Sequence, residues 1–125
     1  VGGTETILIV DDEQFVRELG EQILKKFGYR VITSSDGESA LATCSKNIDQ
    51  ISLVLLVLFM PGMGGKRCLE ELLRIKPELK VIIASGYSPE DDANSAMESG
   101  AKGFISKPYN VRNMLSEVRE VLDAG

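Results

Sequence analysis

Asp11, Asp12, Ser85 and Lys107 are the residues of this chain whose types can do chemistry together, and each follows or ends a short apolar run. Adjacent carboxylates facing a lysine build up repulsion that a hard divalent cation relieves by supplying positive charge. Between these positions lies the run LVLLVLFM (53–60), followed at once by the turn signal PGMGG (61–65). An unbroken apolar run of this kind reads as a central strand covered on both faces, because a half-exposed strand would alternate with polar residues. Ligands of open α/β sheets bind just past the carboxyl ends of such strands. The end of this strand, Val57 to Met60, carries no charge, so the predicted site has an apolar residue where a third charged group is expected.

Periodicity supplies the elements that must position these residues. Thr6 to Val10 reads as a first strand, and Phe15, Val16, Leu19, Ile23, Leu24 and Phe27 then recur at helical spacing until Gly28. Arg30 to Ser34 reads as a second strand, and the SDGE stretch 35–38 has the form of a capping box, with Ala40, Leu41 and Cys44 inward. Ser52 to Leu58 is the predicted third strand. A helix carrying Cys68, Leu69, Leu72, Leu73 and Ile75 follows and stops before Pro77. Lys80 to Ser85 is the fourth strand, after which Ser88 and Pro89 read as N-cap and first residue of a thinly apolar helix. Ala101 to Ser106 is the fifth strand. Asn110 caps a last helix with Val111, Met114, Leu115, Val118, Val121 and Leu122 on one side. Five strand–helix units in strict alternation specify an open parallel sheet with helices on both faces, a three-layer α/β/α sandwich.

Composition narrows the function classes. At 125 residues the chain fits a single domain. We read residues 1–5, which open without Met, as a linker remnant of something longer, and 6–123 as the domain. A net charge of −5 and a pI near 4.8 argue against nucleic acid as a partner, because phosphate binding is driven by clustered Lys and Arg. The absence of histidine excludes a His-based metal site, a Ser–His pair and a phosphohistidine. Cys44 and Cys68 make neither a disulfide framework nor a metal motif, and read as small buried helix residues. No apolar run approaches membrane-spanning length, so the expectation is a cytoplasmic domain without membrane contact.

With Asp11-Asp12 after the first strand, MPGM (60–63) after the third, Ser85 ending the fourth and Lys107-Pro108 after the fifth, residues 6–123 resemble the receiver domain of two-component response regulators. The resemblance implies a flavodoxin-like fold with sheet order 2-1-3-4-5, the order for which the chemotaxis receiver serves as a standard example. The stretches GTETILIVDDE (3–13) and VIIASGYS (81–88) look like the receiver at the C-terminus of hybrid sensor histidine kinases, which implies that this domain is part of such a kinase.

In that family an aspartate ending the third strand accepts a phosphoryl group from a kinase histidine. Carried over by motif, the resemblance makes Asp11 and Asp12 the Mg²⁺ carboxylates, with the Phe59 backbone carbonyl as a further ligand. It makes Ser85 the switch hydroxyl, Lys107 the ammonium that meets the phosphoryl oxygens, and Phe104 the aromatic that turns inward on activation. The acceptor position is Val57. An isopropyl group has no oxygen to attack phosphorus and none to bind a metal. With aspartate at 57 the expected pocket would sum to −2; with valine it sums to −1, so Mg²⁺ binding is expected to be weakened or absent. The implied partners are a histidine kinase or phosphotransfer domain, and a second copy through the face made by the fourth helix, fifth strand and last helix. The alternative is a phosphorylation-independent pseudo-receiver that docks proteins. Enzymes on the same architecture fit less well. An acidic loop after the first strand repels a flavin phosphate, and residues 62–66 (GMGGK) lack the phosphate-loop spacing.

Overall fold

The computed structural model describes residues 2–86 and 89–124, and for 89–93 the backbone alone. Ten elements alternate strictly: β1 (Thr6–Val10), α1 (Gln14–Lys26), β2 (Arg30–Ser34), α2 (Gly37–Lys46), β3 (Ile51–Val57), α3 (Gly65–Ile75), β4 (Lys80–Ser85), α4 (Pro89–Glu98), β5 (Gly103–Ser106) and α5 (Val111–Asp123). The strands form one parallel sheet in the order β2-β1-β3-β4-β5. This is the expected flavodoxin-like order. Its direction of winding reverses between β1 and β3, which puts a crevice outside their carboxyl ends.

The apolar run of β3 is continuous because both of its faces are covered. Side chains alternate across a strand, so Leu53, Leu55 and Val57 pack with Ile7, Ile9, Ile82 and Ala84 in the layer completed by α1 and α5. Val54 and Leu56 pack with Leu8, Val10, Val81 and Ile83 in the layer completed by α2, α3 and α4. Cys44 and Cys68 are free thiols buried in that second layer, and burial pushes the Cys68 thiol up to about 12.

Several local expectations shift. The α2 cap is Asp36, not Ser35: its carboxylate accepts from the Ser39 N–H at 2.7 Å. That places Glu38 at the second helical position, where it cannot close the expected box. Strand β3 is Ile51–Val57 instead of 52–58, and β5 starts at Gly103 instead of Ala101. On α1, Gly20, Ile23 and Leu24 are buried, but Phe15 is 80% exposed, with Leu19 and Phe27 also exposed. Six apolar residues make a stripe wider than one sheet layer can cover, and Phe15 and Leu19 instead reach the rim of the crevice. On α5, Asn110 caps as expected by accepting from the Asn113 N–H, whereas Val111 is exposed. The Ser88 cap falls outside the described residues.

Candidate functional site

The chain reaches the site first at Asp11, one residue past β1. Its N–H donates to the Ser34 carbonyl at 3.1 Å, extending the contact with β2, and its side chain is fully buried. Burial raises the Asp11 carboxyl above the usual range, although the Glu13 N–H and the Lys107 ammonium pull it down. Both carboxylate oxygens are engaged: Oδ1 accepts from the Glu13 N–H at 3.0 Å and Oδ2 from Lys107 Nζ at 3.2 Å. Arg17 Nη1 donates to the Asp11 carbonyl at 2.7 Å and ties the turn to the first turns of α1.

Lys107 arrives from the far side of the crevice. Its N–H donates to the Ser85 carbonyl at 3.0 Å, its bond to Pro108 is cis, and its ammonium also meets Glu13 Oε1 at 3.1 Å. Glu13 was not among the expected ligands. The signal for it was a third consecutive acid with one lysine to share.

Val57, the last residue of β3, stands in register with Ala84 and is 3% exposed. The chain leaves it through the Leu58 N–H bond to Ala84 O and the Gly65 N–H bond to Leu58 O. Gly65 is required there because a Cβ would run into the Val57 carbonyl. These elements enclose a cleft of about 550 Å³. Asp12, Glu13, Ser85 and Lys107 are its polar lining, and Val57, Phe15, Phe59 and Tyr109 contribute apolar walls. Burial and the nearby Asp11 and Glu13 carboxylates raise the Tyr109 hydroxyl, so it stays neutral.

Of the expected site residues, Asp12, Val57, Phe59, Ser85 and Lys107 therefore share one cleft, with Asp11 behind Lys107. Phe104 lies elsewhere, half-buried against the layer of α2, α3 and α4. The Asp11, Asp12 and Glu13 carboxylate oxygens lie within 4.8 Å of one another, a hard-oxygen set of the kind that suits Mg²⁺. Three carboxylates face one ammonium, a formal sum of −2, because Glu13 adds a charge to the expected set.

Comparison with known proteins agrees with the fold. Residues 7–119 match the family described as response regulator receiver domain. The chain is 31% identical over 123 residues to the sensor kinase CckA of Brucella abortus, covering 98% of this chain but 13% of that protein. It is 34% identical to the receiver domain of NtrX from Brucella abortus, with a TM-score of 0.88 over 95% of this chain and 99% of that one. A chain of the CheX-CheY-BeF3-Mg²⁺ complex from Borrelia burgdorferi is 32% identical, with a TM-score of 0.90 over 94% of this chain and 88% of that one. Among the described residues no helix is long and apolar enough to cross a membrane. On the matched family, the strand order and the strand-end cleft together, the chain belongs to the response regulator receiver domains.

Proposed function

We propose that this domain is a phosphorelay receiver whose acceptor position is occupied by Val57, so that it cannot be phosphorylated there. The observation that carries this reading is the place of Val57: the last residue of β3, lining one cleft with Asp12, Ser85 and Lys107. A phosphoryl donor would find an ammonium and a hydroxyl for its oxygens, but no nucleophile beneath the phosphorus. Lys107 already has two carboxylate partners, and its ammonium offsets part of the rise that burial causes in the Asp11 carboxyl. Asp12 and Glu13, which face the cleft, and Asp11 behind them fit a hard divalent cation, with the Phe59 carbonyl as a further donor. Mg²⁺, when bound, would neutralise negative charge in the cleft. With no carboxylate at 57 its affinity is lower than in a Val57→Asp protein.

The match to a sensor kinase supports placing the domain in a hybrid histidine kinase, with a kinase or phosphotransfer domain as partner. A neighbour solved with BeF3 and Mg²⁺ supports Mg²⁺ as the ion that the acidic cluster of this chain would take. A phosphorylation-independent docking role is the second reading, favoured by the apolar Phe15 and Phe59 at the cleft mouth, 80% and 54% exposed. The two share one test. Incubation with acetyl phosphate and Mg²⁺, followed by intact mass, is expected to give no adduct on this chain and an adduct on Val57→Asp. An adduct on the Val57 protein overturns the reading.

A further inference from the structure

We infer that Glu13 supplies the carboxylate that valine removes from the pocket, so that a divalent cation in the cleft is held chiefly by Asp12 and Glu13. The inference rests on the reading of the cleft above and names the residue that keeps its cation chemistry alive. Asp11 is poorly placed to meet an incoming cation: it is fully buried and both its oxygens are bonded. The carboxylates that line the cleft are Asp12 and Glu13.

Glu13 is also positioned for the role. Its side chain is 61% exposed, yet its carboxylate turns inward onto the Lys107 ammonium at 3.1 Å. An exposed glutamate has many rotamers, so an inward turn reflects the pull of the pocket against side-chain entropy. Its backbone is fixed by the bond from its N–H to Asp11 and by the Arg17 tie to the Asp11 carbonyl. If Glu13 shifts to a metal ion, Lys107 keeps Asp11, so no buried charge is stranded. Counting Glu13, the pocket sum is −2, the value that an aspartate at 57 would give to Asp11, Asp12 and Lys107 alone. Charge count is one of the main determinants of affinity for hard cations.

The test is Mg²⁺ titration by calorimetry, with Mn²⁺ binding by electron paramagnetic resonance as a second readout. The proteins are this chain, Glu13→Gln, Asp12→Asn, Val57→Asp and the Val57→Asp/Glu13→Gln pair. Glu13→Gln is expected to weaken binding by about tenfold or more in the Val57 protein, and by only about twofold once aspartate stands at 57. An unchanged dissociation constant for Glu13→Gln, or equal losses in both backgrounds, overturns the inference. Binding seen only with Val57→Asp also overturns it and leaves the reading of the cleft standing. Loss of binding in every protein, Val57→Asp included, would instead sink that reading itself.

Discussion

Placing a carboxylate at the end of β3 tests the electrostatics of the pocket directly. Val57 is 3% exposed in the layer with Leu55 and Ala84, so Val57→Asp places a charge of similar volume on the wall of the cleft where little water reaches it. Its neighbours are the cluster of Asp11, Asp12 and Glu13, with Lys107 as the ammonium in the cleft. The formal sum moves from −2 to −3. Burial and like charge each raise a carboxyl and attraction to Lys107 offsets part of that rise, so the net cost at neutral pH is about 2–4 kcal/mol. At about 2 cal/mol/K per residue, a chain of this size loses about 8–15 °C of melting temperature for that cost. The assay is thermal unfolding in EDTA, with Val57→Asn as the uncharged isostere. The aspartate protein is expected to melt well below the asparagine one near pH 7, and the gap to close as pH falls and the raised carboxyl protonates. Saturating Mg²⁺ binds only the native state, and at a hundred times the dissociation constant returns about 2.7 kcal/mol. A melting temperature in EDTA equal to or above that of the Val57 protein would refute this account of the pocket.

Three further outcomes follow from other contacts. Lys107→Met removes the ammonium that compensates buried Asp11, and breaking such a pair costs about 3–5 kcal/mol. Because the native Asp11 carboxyl is raised, its folded form takes up a proton more readily than the unfolded chain. The deficit in denaturant midpoint should therefore grow as pH rises and shrink as it falls; a pH-independent deficit would count against the pair. Glu5 is held low by Arg119, whose Nη2 lies 2.6 Å from its carboxylate. A lowered native value contributes stability above the unfolded value and loses it as pH falls, so Glu5→Gln should melt lower than the parent near neutrality and equal to it in acid. Gly65→Ala forces a Cβ into the Val57 carbonyl and should destabilise the fold by about 1–3 kcal/mol in urea unfolding, whereas Gly64→Ala meets no atom and is limited to the strain of its φ of 78°.

Much of this molecule was legible in one dimension because its information is local. A strand covered on both faces must be apolar throughout, so the run over 53–60 identified the centre of the sheet before any coordinate, although the strand itself ends at Val57. Strict alternation of short runs with amphipathic stretches then dictated parallel pairing, and parallel pairing places Asp11, Val57, Ser85 and Lys107 at the same edge. Local reasoning failed where the deciding neighbour was remote. Phe15 has helical spacing, yet its turn of α1 overhangs the crevice. The role of Glu13 depends on Lys107, 94 residues away, reaching across from the end of β5. The sequence alone determined which residue types stand at the strand ends, since hydrophobic periodicity places those ends. Only the tertiary structure decided which two of the three acids meet the lysine and which face the cleft, because that choice follows from burial and charge contributed by strands far apart in the chain.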